Sequence, residues 1–128
     1  MLTVNGLIAA DGVIVPVQCE FFALEGIAAL METIDQVRAT HNANLVIDGV
    51  LRTMYDPRTS LTRQVSQQLE KFFGDRVFKT VIPRNIRLAE APSHGLPVLK
   101  YDRLSKGALS YLALASELRK RLNLKTAA

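Results

Sequence analysis

The sequence predicts an α/β domain whose sheet is mostly parallel and flanked by helices. Three apolar runs with the length of strands alternate with segments of helical periodicity, an order typical of parallel strands joined by right-handed crossovers. The length of 128 residues suits one domain, and 48% apolar residues are enough to build its core. Because neither a repeat nor a linker interrupts the chain, we expect residues 1–128 to form a single domain, with a frayed tail at 123–128.

The first half of the chain predicts two helices and two strands. Leu2–Ala10 is compatible with a helix, although no capping residue precedes it. The continuous apolar run Gly12–Val17 predicts a strand that is buried on both faces. A helix with a wide apolar stripe follows from about Ala23 to Thr40, and Leu45–Met54 is the second strand.

The second half predicts two further helices around a third strand. Thr59 or Ser60 caps the first of these helices, Gly74 ends it, and Val77–Ile82 forms the strand. A long polar connector leads to the last helix. The apolar face of the helix before the strand is predicted to carry Leu61, Val65, Leu69 and Phe72. The apolar face of the last helix is predicted to carry Tyr111, Leu112, Ala115, Leu118 and Leu122.

Composition excludes several classes of site. No apolar run reaches the roughly 18 to 20 residues that a membrane-spanning helix needs. Cys19 is the only cysteine, which excludes an internal disulfide framework and fits a reducing compartment. His41 and His94 lie too far apart for a zinc-ligand pattern, so we predict neither a metal site nor a catalytic residue. The net charge of +4 permits contact with phosphates without requiring it.

The stretch Val81–Ser93 follows the third strand, where open α/β sheets bind ligands. We interpret it as a long loop that is rich in hydrogen-bonding groups. Pro83 offers an apolar wall, and the amide of Asn85 can both donate and accept, so the two residues suit a flat nucleobase. The alternative is a structural turn, which the residues alone favour.

Arginines follow both the second and the third strand. Because the carboxyl ends of parallel strands meet at one edge of a sheet, their guanidinium groups can share a surface and bind phosphates through planar forks. No aromatic residues are interleaved with them, so any nucleic-acid contact should be to the backbone and independent of sequence. The alternative is that they pair with Asp56 and Glu90. The arginines are Arg58, Arg63, Arg84 and Arg87.

Four segments carry a resemblance to a known family. They are Leu2–Leu7, Val15–Gly26, Thr53–Thr59 and Val81–Ser93, and the last contains the highly specific run IPRNIRLAEAPS. Over about residues 2–122 they resemble the C-terminal half of the ParA/Soj family of chromosome- and plasmid-partitioning ATPases, relatives of MinD. The resemblance implies a three-layer P-loop NTPase-like fold, binding of ATP and Mg²⁺, an ATP-bound homodimer, non-specific DNA binding and a ParB-type partner that stimulates hydrolysis.

The resemblance also implies roles for particular residues. In the family, two loops that match parts of this chain lie at the adenine. The nucleotide contacts expected from them are Thr53, Met54, Pro83, Arg84 and Asn85. Arginines that match Arg58 and Arg87 are associated with the DNA surface of the dimer. Charge and location extend that role, more weakly, to Arg84 and Arg63.

The chain departs from the family in one large respect. The phosphate-binding loop KGGVGKTT and the D-x-P-P segment do not occur in residues 1–128. Because phosphoryl transfer depends on holding phosphates and magnesium in place, we expect this chain by itself to bind no ATP or Mg²⁺ tightly and to hydrolyse no ATP. The edge of Gly12–Val17 would be unpaired, which predicts a dimer or higher assembly, or a protein of low stability. A well-folded monomer in sedimentation at high concentration would contradict that expectation.

Two other functions stay open on the sequence alone. One is a non-catalytic interaction module that pairs with ParA-type or ParB-type partners and regulates them. The other is a membrane-surface helix of the MinD kind, which we disfavour because the alanine-rich stripe of the last helix looks like core packing. The family resemblance implies a bacterial cytoplasmic protein associated with the nucleoid.

Overall fold

The computed structural model describes residues 2–19 and 24–127 and confirms the α/β fold. In chain order the elements are α1 (Leu2–Ala9), β1 (Gly12–Gln18), α2 (Leu24–Thr40), β2 (Val46–Tyr55), α3 (Ser60–Phe73), β3 (Val77–Pro83), α4 (Ile86–Glu90), α5 (Val98–Tyr101) and α6 (Lys106–Ala127). Short 3-10 turns cover Gly74–Arg76 and Ala91–His94. Ala23, where we expected α2 to begin, lies outside the described residues. The backbone of α6 is helical to Ala127, and fraying of the tail stays a prediction.

The three strands form a parallel sheet in the order β1-β2-β3, as the alternation of elements predicted. Adjacent residues of β2 and β3 point to opposite faces and enter different cores. Val50 and Val77 belong to a large core under α1, α2 and α3. Leu51 and Phe78 belong to a smaller core under α6. Helices therefore cover both faces of the β2–β3 part of the sheet.

The first strand is covered on one face only, which corrects the expectation that it is buried on both. Val15 and Val17 are buried under α2, whereas Ile14, on the opposite face, is 40% exposed. The reason is the position of α6, which packs against β3 and the neighbouring part of β2. No further strand pairs with β1 within the described sheet, so β1 is an edge strand, and self-association through it stays a prediction.

The apolar stripe predicted for α3 is confirmed at Val65 and Leu69 but wrong at its last residue, and the stripe predicted for α6 is confirmed only at Leu118. In α3 the buried aromatic residue is Phe73, while Phe72 is 72% exposed, because the stripe that faces the sheet runs through Val65, Leu69 and Phe73. In α6 the packed residues include Leu114 and Leu118. Of the residues we expected on its buried face, Tyr111, Leu112 and Leu122 are 40 to 50% exposed. None of the described helices is both long and apolar enough to cross a membrane.

The third strand bulges beside β2. From the pair Val50–Val77 to the pair Arg52–Val81, the register advances two residues on β2 but four on β3. The backbone groups that the bulge removes from the ladder are satisfied by side chains instead. The carboxylate of Glu117 accepts from the N–H groups of Lys79 at 2.8 Å and Thr80 at 2.9 Å. The guanidinium of Arg52 donates to the Phe78 and Lys79 carbonyls at 2.8 and 3.3 Å.

Glu117 makes the stability of the fold depend on pH. Partial burial raises the pKa of Glu117, but the Thr80 and Lys79 N–H groups, with Arg121, outweigh it and hold the pKa below its ordinary value of 4.5. The stabilisation is therefore fully present above that value and is lost as the pH falls through the folded-state pKa. We expect Glu117→Gln to lower the free energy of unfolding at pH 7 by about 1 to 2 kcal/mol, because one charged acceptor serves two amides.

Urea denaturation of both proteins at pH 7 and near pH 3 measures this effect. The difference in unfolding free energy between wild type and Glu117→Gln should become smaller at the lower pH, because protonation of the wild-type carboxyl removes the charge that accepts these hydrogen bonds. Glu32→Gln, at an exposed position on α2, is the matched control. It should change the free energy of unfolding by no more than about 0.5 kcal/mol at either pH. If wild type and Glu117→Gln differed in unfolding free energy by the same amount at both pH values, the charge of Glu117 would not be what stabilises the bulge.

Candidate functional site

The loops that follow β2 and β3 meet at the carboxyl edge of the sheet. Tyr55 pairs with Pro83 at the end of the ladder, and the Arg84 N–H donates to the Tyr55 carbonyl at 3.3 Å. The turn that begins at Asp56 therefore lies beside Arg84. This is the edge at which open α/β sheets bind ligands, and it brings together most of the residues that the sequence singled out.

Two of the expected nucleotide contacts lie where the backbone of β2 is distorted. Met54 has a φ of 52°, and one extra residue of β2 is inserted here between the pairs Arg52–Val81 and Tyr55–Pro83. Thr53 anchors the distortion, since its hydroxyl donates to the Val17 carbonyl at 3.3 Å and its own carbonyl accepts from Cys19 N at 2.9 Å. A left-handed conformation costs a methionine roughly 1 to 2 kcal/mol, and such strain concentrates at functional sites.

The stretch after β3 is mostly helical, which corrects the long loop that we expected over Val81–Ser93. Pro83 is the last residue of β3 and α4 begins at Ile86, so only Arg84 and Asn85 connect the two elements. Asn85 is the N-cap of α4, and its side-chain oxygen accepts from Leu88 N at 3.3 Å. The structural alternative thus holds for one hydrogen bond of the Asn85 oxygen, and the cap does not involve the amide nitrogen, which can donate to a base.

Arg58 and Arg84 flank one carboxylate. The Nε and Nη2 atoms of Arg58 each lie 3.0 Å from an oxygen of Asp56, in a two-pronged pair. Hydrogen bonds from the side chain and then the backbone N–H of Arg58 lower the pKa of Asp56, and the charge of Arg84 adds to the effect. Since the Arg58 side chain is 88% exposed, it can exchange this carboxylate for a phosphate.

The N-terminus of α3 lies next to this pair and adds positive potential. Thr59 caps the helix, accepting from Thr62 N at 3.2 Å, and the first turn of α3 contains no acidic residue. The exposed Arg63 belongs to that turn, and its guanidinium is 3.5 Å from the Pro57 carbonyl. Asp56 is outnumbered by Arg58, Arg63 and Arg84, so this corner of the molecule is positive at neutral pH.

Arg87 belongs to a different cluster. Its Nη1 is 3.1 Å from Glu90 and its Nε is 3.3 Å from Asp102, while the Tyr101 hydroxyl donates to the same Glu90 oxygen at 2.6 Å. The hydrogen bond from Tyr101, followed by that from Arg87, lowers the pKa of Glu90. Arg87 is 51% exposed and faces two carboxylates, in contrast to the positive corner at Arg58.

The sequence identified Glu90 as a partner of Arg87 but missed Tyr101 and Asp102. Both lie in the connector before α6, which the structure shows to contain α5. The pairs Arg58–Asp56 and Arg87–Glu90 are those that the alternative interpretation expected. Burial raises the pKa of the Cys19 thiol, which suits a structural role. Within residues 2–19 and 24–127, no group of acidic, histidine or cysteine side chains is arranged to hold a metal ion.

Comparisons with known proteins agree with this architecture. A family model described as an AAA domain matches residues 1–47. The chain is 54% identical over 117 residues to the sporulation initiation inhibitor protein Soj of Bacillus subtilis, covering 91% of this chain and 46% of that protein. It is 56% identical over 117 residues to the chromosome partitioning protein ParA of Caulobacter vibrioides, covering 91% of this chain and 44% of that protein.

The chain belongs to the ParA/Soj family of chromosome-partitioning ATPases. It spans less than half the length of these relatives. Among solved structures it resembles cobyrinic acid a,c-diamide synthase from Mycobacterium smegmatis with bound ADP and magnesium, at a TM-score of 0.73 and 34% identity. That match covers 95% of this chain and 43% of the other, and it confirms the P-loop NTPase-like fold for the part of the ParA/Soj architecture present here.

Proposed function

We propose that this chain forms the part of a ParA-type partitioning ATPase that contacts the DNA backbone and borders the adenine of ATP. The observation that carries the proposal is the positive corner at the carboxyl edge, where Arg58 and Arg84 flank Asp56 beside the N-terminus of α3. Arginine forks and a helix N-terminus bind phosphates whatever the base sequence. Arg87, at the start of α4, extends the surface.

Replacing the three arginines tests the DNA contact. We expect the combined Arg58→Ala, Arg84→Ala and Arg87→Ala variant to bind duplex DNA on the order of 100-fold more weakly at low salt, because each arginine supplies a charged hydrogen bond to a phosphate. The slope of log K against log salt concentration should fall by about 0.9 for each phosphate that the variant no longer neutralises. Fluorescence anisotropy with a short duplex over a range of salt concentrations measures both quantities.

Arg76→Ala is the matched control. Arg76 is exposed and immediately precedes β3, so it lies at the amino end of the strand whose carboxyl end leads to Arg84. This substitution removes the same charge from the opposite edge of the sheet. If Arg76→Ala weakened binding as much as Arg84→Ala made singly for this comparison, affinity would depend on net charge alone, and the proposed surface would be wrong. Unchanged binding by the triple variant would also reject it.

For the nucleotide, we propose that the distorted end of β2 and the start of the β3–α4 connection border the adenine. The residues are Thr53, Met54, Pro83, Arg84 and Asn85. Support comes from their meeting at the carboxyl edge and from the Mycobacterium smegmatis relative, which was solved with ADP or an ATP analogue and magnesium. Because residues 1–128 contain no phosphate-binding loop, tight binding of Mg-ATP and its hydrolysis would need another segment. Magnesium-dependent turnover by these 128 residues would contradict this.

Partners follow from the same proposal. We propose a homodimer, non-specific DNA and a ParB-type protein as partners in the bacterial cytoplasm, on the nucleoid. The exposed edge and face of β1 favour self-association of the chain. The second candidate function is a non-catalytic module that pairs with ParA-type or ParB-type proteins, and the same free edge favours it. Association of this chain with an intact ParA-type ATPase, measured by co-purification, distinguishes the two functions.

A further inference from the structure

Arg87 is held from two directions, unlike Arg58. Glu90 contacts it from its own helix at 3.1 Å, and Asp102 contacts it at 3.3 Å from the turn after α5. Arg58, in contrast, is paired only two residues away, with Asp56, and is almost fully exposed. The surroundings of Arg87 therefore depend on tertiary packing between α4 and α5, which a simple solvated ion pair does not need.

The groups that hold Arg87 are themselves held. The Tyr101 hydroxyl donates to Glu90 at 2.6 Å, a short bond to a charged acceptor. The ring of Tyr101 packs against the ring of His94 with their centroids 4.6 Å apart. The other carboxylate oxygen of Asp102 accepts from Leu104 N at 3.3 Å. Tyr101 thus fixes Glu90, and Glu90 fixes the guanidinium of Arg87.

We propose that Tyr101, acting through Glu90 and together with Asp102, is a positioning residue that orients Arg87 for a backbone phosphate of DNA. This inference rests on the proposed function, since it gives a supporting group to one of its DNA contacts. Immobilising a long, flexible side chain on binding lowers affinity by a factor of roughly 2 to 10. An arginine that is already ordered avoids that loss, and this is the advantage that Tyr101 supplies.

A purely structural role for the cluster predicts different behaviour. In that case Tyr101 joins α5 to α4, and its removal weakens the fold without acting on Arg87 in particular. A double-mutant cycle between Tyr101 and Arg87 separates the two roles, because a positioning residue has no effect once the residue that it positions is gone. Tyr101→Phe suits the cycle, since it removes one hydroxyl and leaves every charge in place.

The experiment measures DNA affinity and its salt slope for the single and double variants of the full chain. We expect Arg87→Ala to weaken binding about tenfold and to lower the salt slope by about 0.9. Tyr101→Phe should weaken binding about threefold with an unchanged slope, because the phosphate contact persists but is less ordered. In the Arg87→Ala background, Tyr101→Phe should have no effect. Tyr111→Phe, at a partly exposed position on α6, is the matched control and should match wild type.

The outcomes separate failure of the inference from failure of the proposed function. If Arg87→Ala leaves DNA binding unchanged, the DNA role of Arg87 is wrong and the inference falls with it. If Arg87→Ala weakens binding but Tyr101→Phe does not, or does so equally in both backgrounds, the positioning role alone is wrong. NMR relaxation of the Arg87 Nε–H group gives an independent reading. The group should be ordered in the free wild-type chain and mobile in Tyr101→Phe, and equal mobility in both would also reject the inference.

Discussion

Replacing Arg52 by methionine is expected to lower the free energy of unfolding by about 3 kcal/mol. The Arg52 side chain is only 9% exposed, and its guanidinium is the donor for the carbonyls of Phe78 and Lys79 at the bulge of β3. It also donates to the Ser66 hydroxyl at 2.9 Å. Methionine replaces the aliphatic part of the side chain but donates nothing, and each buried acceptor left unsatisfied costs roughly 1 to 3 kcal/mol.

Glu70 provides the control for this prediction. It pairs with Arg52 at 3.1 Å, but its side chain is 58% exposed, so water reaches the carboxylate, and the glutamine amide oxygen can still accept from Arg52. We therefore expect Glu70→Gln to change the free energy of unfolding by no more than about 0.5 kcal/mol. Urea denaturation followed by circular dichroism measures both variants. If Glu70→Gln proved as costly as Arg52→Met, the ion pair rather than the carbonyl contacts would be responsible for the stabilisation.

The order and direction of the strands could be predicted because they depend on local patterns. Each strand was a mainly apolar run, and the longer helices had a 3.6-residue period, with recognisable ends at Thr59 and Gly74 around α3. Helical phase was harder to predict. Adjacent apolar residues such as Phe72 and Phe73 fit the same stripe almost equally well, and contact with the sheet decides which of them is buried.

The bulges could not be predicted from the sequence, because a bulge is a relation between two strands. Nothing in β2 alone shows that Arg52 will supply donors to β3, and an arginine inside an apolar run looks at first like an exception. The same applies to Glu117, which lies 37 residues from the Thr80 amide whose hydrogen bond it accepts. Both residues satisfy backbone groups that a regular ladder would have paired.

In the candidate site, too, contacts between residues close in sequence could be predicted and contacts between distant residues could not. The pair Arg58–Asp56 could be predicted because two residues separate the partners and a proline-containing turn fixes their geometry. The contact from Tyr101 to Glu90 spans 11 residues and depends on how α5 packs against α4. The four arginines that we predicted on one surface therefore lie in two separate groups. One is the positive corner at Arg58 and Arg84, and the other is a more acidic cluster around Arg87.

Pairing of the arginines with carboxylates also affects how DNA would be bound. A phosphate that approaches Arg58 must replace Asp56 on the same fork, whereas one that approaches Arg87 meets Glu90 and Asp102 beside it. Because the arginine already pairs with a carboxylate, exchanging that carboxylate for a phosphate gains only part of the free energy of a new ion pair. The interaction should therefore be weak in each chain and strongly dependent on salt, and bringing two chains together would raise the apparent affinity.

Replacing Gly49 by alanine is expected to destabilise the fold by about 3 kcal/mol, at the upper end of the usual cost of overpacking. A Cβ atom at Gly49 would overlap the ring of Phe78, whose side chain is fully buried. The ring cannot retreat, because the Arg121 guanidinium lies over it at 4.2 Å from the ring centroid. Arg121 is itself fixed by donating to the carbonyls of Arg76 and Val77 at 3.0 and 3.1 Å.

A smaller side chain at position 78 should relieve the overlap. We expect Gly49→Ala to cost less than about 1 kcal/mol when it is introduced into a Phe78→Leu background, so the two substitutions should be strongly non-additive. Gly26→Ala is the control, since a Cβ atom there meets nothing within 4 Å and alanine favours the helix α2 by roughly 0.5 to 1 kcal/mol. Thermal and urea unfolding of the four proteins in the cycle measure the coupling. Additive effects would mean that the backbone of β2, rather than the Phe78 ring, is what rejects a side chain at position 49.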